Sequence, residues 1–491
     1  MSQSITSESI TSQSITSESL AIHWFRQDLR INDNFALAAA ARHGKILPLY
    51  ILDDVNAQEW RIGAASRWWL HHSLHALNRS LQGRLWILHG NAAQLMPQFA
   101  AEQQASLITW NRCYEPWRVS RDEKLQLELQ ERGIAVQTDN GSLLFEPGTV
   151  IKDDDSPYKV FTPFYRQARA RLTQSHASTQ LDKFELQSCS QPEDKIDKLE
   201  LLPAINWYQG MQDQWQPGET GAQLTLQNFL DSGLPDYQKA RDFPALRNVS
   251  GLSPYLHYGE ISPQRLVTQV QQQAQVDSCE AASEHFIREL IWREFSYSLL
   301  HFFPDLTTRN LKPVFDHFPW STDGQLLQKW RQGQTGFPLI DAGMRELWQT
   351  GYMHNRVRMI VASFLVKNLM IHWREGARWF WDCLVDADLA NNSCSWQWVA
   401  GSGMDAAPYF RIFNPVTQSL KFDPDGSYIK RFVPELSALP IPFMHDPSSA
   451  PRQELDRAGI ILGETYPGAI VDLQETRTHA LAMYKTLRAI D

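Results

Sequence analysis

LAIHWFRQDLRINDNFALAAAARHGKILPLYIL, residues 20–52, decides the fold of the first part of the chain. It opens on a short apolar run, LAIHWF. An alanine-rich stretch, FALAAAARHG (35–44), follows and ends at a glycine, and a second apolar run, ILPLYIL (46–52), comes next. Neither run alternates apolar with polar residues as a half-exposed strand does. Each therefore predicts a strand covered on both faces, and the helix between them makes the two strands parallel. The pattern recurs: RLWILHG (84–90), SLITW (106–110) and IAVQT (134–138) are short apolar runs. SRWWLHHSLHALNRSLQ (66–82) and SRDEKLQLELQERG (120–133) are helical stretches between them. The expectation is a Rossmann-like α/β domain with a parallel sheet over residues 20–149. Ligands would sit beyond the carboxyl ends of its strands. No GxGxxG follows the first strand, so a standard dinucleotide site is not expected there.

Outward from this domain the character of the sequence changes twice. Residues 1–19, MSQSITSESITSQSITSES, form a near-perfect repeat of Ser, Thr, Gln and Glu. Such a stretch buries too little apolar surface to offset its ordering entropy, and a disordered tail is expected. Residues 150–205 are mixed and polar, which reads as an interdomain linker with a helix near FTPFYRQARARL. From residue 206 to about 485 helical periodicity takes over, as in EHFIRELIWREFSYSLLHFF, DAGMRELWQTGY and NRVRMIVASFLVKNLMIHWREGARWFWDCLV. The chain is thus α/β followed by a larger all-α domain.

Composition narrows the function. The 491 residues are 43% hydrophobic and carry a net charge of -9, so no global basic field draws in nucleic acid. Any DNA contact needs a local basic patch. Tryptophan is over-used, 18 against 14 tyrosines, which fits either stacking on a planar ligand or an indole-rich helical core. The five cysteines are dispersed, with no CxxC and no Cys/His cluster of metal spacing. This predicts a reducing, cytoplasmic setting and no metal site. No 18-residue apolar run and no leader-like start are present, so neither a membrane span nor a signal peptide is expected.

Five short stretches carry chemistry-bearing residues. In EHFIRELIWREFSY (284–297), helical spacing puts Glu289 and Trp292 on one face with Arg293 a turn from Glu289. This suits a planar polar ligand, or merely an intrahelical ion pair. In GYMHNRVRMIVASFLVKNLMIHW (351–373), Val357, Ile360, Val361, Phe364 and Leu365 form a buried stripe. Asn355 and Met359 share another face, flanked by Arg356 and Arg358. In LVDADLANN (384–392), Asp386 and Asp388 are paired acceptors for sugar hydroxyls, or ordinary turn residues. RNVSGLSPYLHYGEISP (247–263) offers backbone N–H groups and the Ser250 and Ser253 hydroxyls ahead of a helix start, a phosphate-cradling arrangement. Finally, WQW at 396–398 sets two indoles one residue apart; they share a face if extended and splay apart if helical.

Singly these signals are weak, but their order is not. WFRQDLRINDN, LSPYLHYGEISP, ELIWREF, GFPLIDAGMREL, MHNRVRM, ASFLVKNLMIHW, DADLANN, WQWVAGSG and DAAPYFRIFNP together resemble the cryptochrome/photolyase family, over about residues 20 to 480. The wording is similar to that of a bacterial class I cyclobutane pyrimidine dimer (CPD) DNA photolyase. The resemblance implies a Rossmann-like antenna domain and an all-helical FAD-binding domain. It also implies a light-dependent carbon–carbon lyase, a deoxyribodipyrimidine photo-lyase acting as a monomer. Photoexcited reduced FAD would pass an electron to a flipped-out pyrimidine dimer in UV-damaged DNA. A cryptochrome-like blue-light signalling photoreceptor is the alternative.

By resemblance, Tyr237, Val249, Ser250, Gly251, Leu252, Ser253, Phe286, Arg293, Asn355, Arg358, Asp386, Ala387, Asp388 and Asn392 fall where the family contacts FAD, with Asn392 facing the flavin N5. Glu289, Trp292, Asn355, Met359 and Trp398 match the dimer pocket, with Glu289 stabilising the charge that develops on the lesion. Arg241, Arg356 and Arg411 match phosphate contacts. Trp396, Trp373 and Trp320 match the tryptophan chain that feeds electrons to FAD.

The family's six-four members carry two histidines where this chain has Asn355 and Met359, and neither of these residues moves a proton near neutral pH. That favours cyclobutane dimers. The sequence departs from the family at VSGLS, usually TSxLS; at Phe286, often Trp; and at NSCSWQW, usually NNGGWQW. After Tyr114 and Glu115, Pro116, Trp117 and Arg118 replace the Asn-Glu of folate-binding members. The resemblance implies a second, antenna chromophore of deazaflavin or folate type; the missing Asn-Glu counts against folate, and EPW resembles the deazaflavin binders.

Overall fold

The computed structural model describes residues 19–172, 184–246, 248–409 and 411–489. The expected Ser/Thr-rich tail, apart from Ser19, lies outside them. The five apolar runs are strands: β1 (Leu20–Phe25), β2 (Lys45–Leu52), β3 (Trp86–His89), β4 (Leu107–Asn111) and β5 (Ala135–Asp139). They form one parallel sheet in the order β3-β2-β1-β4-β5. β2 is internal yet contains Pro48, which lacks the N–H a ladder uses. β3 pairs with it only from Leu49 onward, so Pro48 lies opposite His23 of β1 alone. Helices Phe35–His43, Ala64–Ser80, Ala92–Glu102 and Pro116–Glu131 fill the crossovers. The first is capped by Asn34, whose side chain accepts from the Leu37 N–H.

The loop leaving β1 ties the sheet to the rest of the molecule. Arg30 is buried, and its guanidinium donates to the carbonyls of Asp33, Gly141 and Gly259 at 2.8 Å each. Gly259 has φ +64°, and a Cβ there would lie 2.0 Å from the Gln27 carbonyl oxygen. Only glycine lets the two backbones approach so closely. Nearby, Tyr258 donates to the Ser66 carbonyl at 2.8 Å and the Leu29 N–H donates to the Tyr258 carbonyl at 3.0 Å. Glu294 accepts the Leu144 and Phe145 N–H groups at 2.9 and 3.1 Å. The sheet and the helical bundle are thus joined through buried, hydrogen-bonded polar groups rather than a loose hinge.

The linker does more than its polarity suggested. Its expected helix is present at Phe161–Leu172 and packs on the long helix Glu280–Phe302. Further on, Ile46 exchanges hydrogen bonds with Glu185 and Gln187 at 2.8 and 2.7 Å, which pins this stretch beside β2. Two other readings need correction. Residues 355–383 are not one helix: Asn355–Ser363 runs into a π-turn at Phe364–Asn368. The chain then breaks at Met370 (φ +53°) and restarts as Trp373–Cys383. His372, like His354 before it, caps the following helix through Nδ1. Asp386 lies in a turn as expected, but Asp388 begins the helix Leu389–Ala400. Many of the tryptophans are core: Trp24, Trp68, Trp69, Trp110, Trp330 and Trp373 are essentially fully buried. All five cysteines are free, and among the described residues no helix is long and apolar enough to cross a membrane.

Glu260 illustrates the electrostatics of the domain contact. It is buried and accepts the Trp69 indole N–H at 3.2 Å and the Gly218 N–H at 2.7 Å. Burial outweighs these bonds and raises its carboxyl to about 8. A carboxyl raised on folding binds its proton more tightly in the native state. Wild-type stability therefore falls, relative to a permanently neutral side chain, as pH rises from about 4.5 towards 8. Thermal unfolding of wild type and Glu260→Gln across this range should show their Tm difference drifting in favour of Gln; parallel curves would remove Glu260 as the titrating group.

Candidate functional site

Asp388 organises the centre of the helical domain. One carboxylate oxygen accepts from the backbone and side-chain amides of Asn391 at 2.8 and 2.7 Å, capping the helix Leu389–Ala400. The other accepts the Tyr297 hydroxyl and lies 3.6 Å from His257 Nδ1. Burial alone would raise this acid, but His257, Arg293 and Tyr297 prevail and hold it down to about 2. The capped helix carries Asn392, Trp396 and Trp398. Residues two apart on a helix point roughly 200° from one another. Trp396 accordingly turns into the core, 2% exposed, while Trp398 stays half-buried at the margin.

Trp396 packs edge-on to Phe380, ring centres 5.0 Å apart, and lies over Gly376. A Cβ at Gly376 would fall 2.0 Å from the indole ring. Trp373 stands one turn before Gly376 on the same helix and donates to Asn310 Oδ1 at 2.9 Å. His372 follows, its ring 5.6 Å from Trp373 and 5.0 Å from the half-buried Trp320. Trp396 and Trp373 are both buried and Trp320 is half-buried, and His372, which the sequence reading missed, lies between the last two.

A second group converges on Asp386. The Ser253 hydroxyl donates to it at 2.6 Å, and Arg358 donates to both its oxygens at 3.0 and 2.9 Å. This joins the VSGLS loop to the helix Asn355–Ser363. Within the loop, the Ser250 hydroxyl accepts the Leu252 N–H at 3.3 Å, and Gly251 has φ +65°. Val249 is half-buried, and Leu252 and Ala387 are buried. Asn392 donates to the Ala377 carbonyl at 3.0 Å. Arg293 donates to the Ser142 carbonyl at 2.8 Å, across to the sheet domain. Phe286 is buried against Phe229 and Tyr237 at 4.8 and 5.5 Å, tilted to the first ring and edge-on to the second.

The residues matched by resemblance to the dimer pocket and phosphate contacts make up a third set. Glu289 pairs with Arg241 at 2.5 Å, and Arg241 lies 5.2 Å from the Tyr237 ring centre. Arg356 pairs with Asp242 at 2.7 Å, lies over Phe422 at 4.6 Å and reaches the Met359 sulfur at 3.9 Å. Asn355 is exposed at the start of its helix. Arg411 is also exposed, and its carbonyl accepts from Lys367 at 2.9 Å. Trp292 is stacked face to face on Phe161, 3.6 Å between ring centres and 9° between planes. Phe161 opens the linker helix, and its N–H donates to Asp405 at 2.9 Å. The only sequence signal for this backing was an aromatic at the start of FTPFYRQ.

The sheet domain holds a separate cleft beyond β1 and β2, lined by Trp24, Tyr50, Trp60, Trp117, Arg118 and His257 among others. Arg26 binds Asp122, and Arg121 pairs with Asp53 at 3.0 Å and Asp122 at 2.7 Å. Both guanidinium groups lie over Trp24, at 4.9 and 4.8 Å. Glu115 accepts from Gln27 at 3.0 Å and lies 3.4 Å from Arg118. The carboxyl-end position follows from the doubly wound sheet; the arginine–carboxylate lattice was not foreseen.

Residues 21–183 match the family model described as DNA photolyase, and residues 286–486 that described as the FAD binding domain of DNA photolyase. A deoxyribodipyrimidine photo-lyase of Agrobacterium fabrum is 44% identical over 95% of this chain and 98% of its own. The chain belongs to the DNA photolyase family. Cryptochrome-2 of Arabidopsis thaliana, at 36% identity over 93% of this chain and 77% of its own, lies within the same family likeness. Among solved structures, a bacterial class III photolyase from Agrobacterium tumefaciens superposes with a TM-score of 0.92. It is 43% identical and covers 98% of this chain and 100% of its own. An archaeal photolyase from Sulfolobus tokodaii, described with two FAD molecules, superposes at 0.78 with 29% identity, covering 95% of this chain and 100% of its own.

The class I expectation is corrected by the class III likeness. The motifs behind it are shared across the family likeness, so they do not separate the classes. The fold expectation, a five-stranded parallel domain before a helical one, agrees with these photolyase structures.

Gly376 offers a direct test of the indole packing. Gly376→Val should push Trp396 off the helix and lower stability by about 1–3 kcal/mol, the scale of overpacked cores. Urea unfolding followed by tryptophan fluorescence measures it, and an unchanged midpoint would show that the helix can shift without cost.

Proposed function

We propose that this photolyase-family protein repairs cyclobutane pyrimidine dimers in UV-damaged DNA, using FAD and blue light, as a deoxyribodipyrimidine photo-lyase. The observation that carries the reading is a connected set of side chains beside Trp292. Glu289 binds Arg241, and next to it Asp242 holds Arg356, which reaches Met359. An acid, aromatic plates, a thioether and guanidinium groups on one face suit a flipped-out base pair flanked by phosphates.

The residues around Asp386 and Asp388 fit a nucleotide cofactor. Ser250, Ser253, Arg358 and Asn392 supply donors. Gly251 leaves its position open, with nothing nearer than Thr225 at 3.6 Å. His257 Nδ1 is buried 3.6 Å from Asp388 and, among the described residues, has no partner at hydrogen-bond distance. Tyr237, Val249, Leu252, Phe286, Arg293, Asn355 and Ala387 complete the proposed FAD surroundings. Bound reduced FAD supplies, on absorbing blue light, the electron that splits the dimer.

The chain's own part is positional and electrostatic. Glu289 accepts a hydrogen bond from the thymine and holds the lesion as charge develops on it. Trp292, fixed from behind by Phe161, and Trp398 enclose the bases, while Arg241, Arg356 and Arg411 take phosphates. Trp396, Trp373 and Trp320 conduct electrons inward from the surface. We assign the cleft beyond β1 and β2 to a second chromophore of deazaflavin or folate type. We read residues 20–149 as the antenna domain, 150–205 as the linker and 206–485 as the catalytic domain, in a cytoplasmic monomer.

The decisive experiment exposes reduced protein and an oligonucleotide carrying one cis-syn thymine dimer to blue light or darkness, with a six-four lesion in parallel. Light-dependent loss of the cyclobutane dimer alone is expected. Failure to repair either lesion would favour a blue-light photoreceptor, the class of the Arabidopsis relatives. Glu289→Ala should keep flavin bound while lowering repair per absorbed photon, and an unchanged yield would remove its assigned role. Trp396→Phe should abolish photoreduction of oxidised flavin yet leave repair by chemically reduced protein intact; normal photoreduction would overturn the electron route.

A further inference from the structure

The face of the helix Ala64–Ser80 that meets the linker presents His71 and His75, one turn apart. Asp197, from the single turn Asp197–Leu199, lies against both. Its Oδ1 is 3.2 Å from His75 Nε2 and 3.8 Å from His71 Nε2, and one donor atom from each residue falls within 4.8 Å of the others. We propose that His71, His75 and Asp197 form a divalent transition-metal site, of the kind that takes Zn²⁺.

Three features support this over a surface ion pair. The first is spacing. Bonds of about 2.0–2.1 Å in a tetrahedral site put neighbouring ligand atoms roughly 3.3 Å apart; the two histidine–Asp197 separations are 3.2 and 3.8 Å, and all three donor atoms lie within 4.8 Å of one another. The second is the state of His71. Its side chain is only 12% exposed, yet the ring makes no hydrogen bond with the described residues, and Nδ1 is buried without a partner. The Nε2 atom, on the side facing Asp197, makes no hydrogen bond with the described residues and is left as the free lone-pair position of the ring. A metal at Nε2 would give this nearly buried ring the polar interaction it lacks on the Asp197 side. The third is anchoring. Ile196 and Leu199 on either side of Asp197 are buried, and Lys195 donates to the Gly83 carbonyl at 2.9 Å. The linker backbone is thereby held while the carboxylate faces the helix. Lys198, the adjacent cation, pairs with Asp194 at 2.9 Å rather than with Asp197.

Two imidazoles and one carboxylate suit zinc, nickel or copper, and not magnesium or calcium, which need more oxygen ligands. Three protein ligands leave a coordination position open to solvent, since the His75 and Asp197 side chains are 31% and 57% exposed. The ion would bridge the sheet domain's helix to the linker, far along the chain from the Asp386 and Glu289 groups. It would act as a staple on the linker rather than in light-driven repair.

The test is calorimetric titration of Zn²⁺ into the full-length, flavin-loaded protein after chelator treatment, with excess Mg²⁺ present. One saturable zinc site is expected, with zinc raising Tm. His75→Ala and Asp197→Asn should each weaken it by roughly tenfold or more, since even outer partners of a metal ligand act on that scale. His72→Ala, on the neighbouring face of the helix, should leave it unchanged. Flavin absorbance and circular dichroism establish that each variant is folded, and Asp197→Asn, at an exposed position, keeps the test open if a histidine variant fails. Absence of saturable binding, or equal affinity in wild type, His75→Ala and Asp197→Asn, would overturn the site.

Discussion

The start of the helix Leu389–Ala400 is set by one buried carboxylate, and much of the helical domain takes its geometry from it. Asp388 caps the helix, accepts from Tyr297 on the long helix Glu280–Phe302, and faces His257 at the end of the short helix after the VSGLS loop. Three elements distant in sequence are thereby fixed around one ionised group. Because the helix begins there and nowhere else, Asn392, Trp396 and Trp398 each acquire a defined direction. A start displaced by one residue would rotate all three by roughly a quarter turn or more.

The same economy appears at the contact between the two halves. Arg30, Glu260 and Glu294 are buried charges or acids whose partners lie across that contact. Such groups are expensive to bury and very costly to leave unpaired. They act as position-specific locks, so the sheet and the bundle meet in one arrangement. Burial raises Glu294 to about 7, so this lock, like Glu260, is sensitive to proton activity near neutrality.

How much of this was legible in the sequence depends on how local each feature is. The strands were legible because unbroken runs such as ILPLYIL admit few other structures, and their observed limits differ by a residue or two. The break after Phe364 was not, because FLVKNLMI, apolar but for Lys367 and Asn368, carries no Gly or Pro and the interruption comes from Met370 turning to positive φ. Motif order identified the family and the residues around Asp386 and Glu289. It said nothing of Phe161 behind Trp292, of His372 between Trp373 and Trp320, or of Asp197 meeting His71 and His75. Each of those is a contact between segments that no spacing rule connects. The tryptophan count pointed to ligand stacking and core alike, and the molecule uses indoles for both burial and margin.

The Trp292–Phe161 stack changes what counts as the helical domain. Phe161 belongs by sequence to the linker, yet it forms the rear wall of an aromatic plate on the helix Glu280–Phe302, and its own N–H is held by Asp405. A fragment cut at residue 206 would expose one face of that indole to water and free it to tilt. For recombining sheet and helical modules among relatives, the natural seam therefore lies ahead of Phe161. The linker helix travels with the half it packs against, whichever α/β domain stands before it.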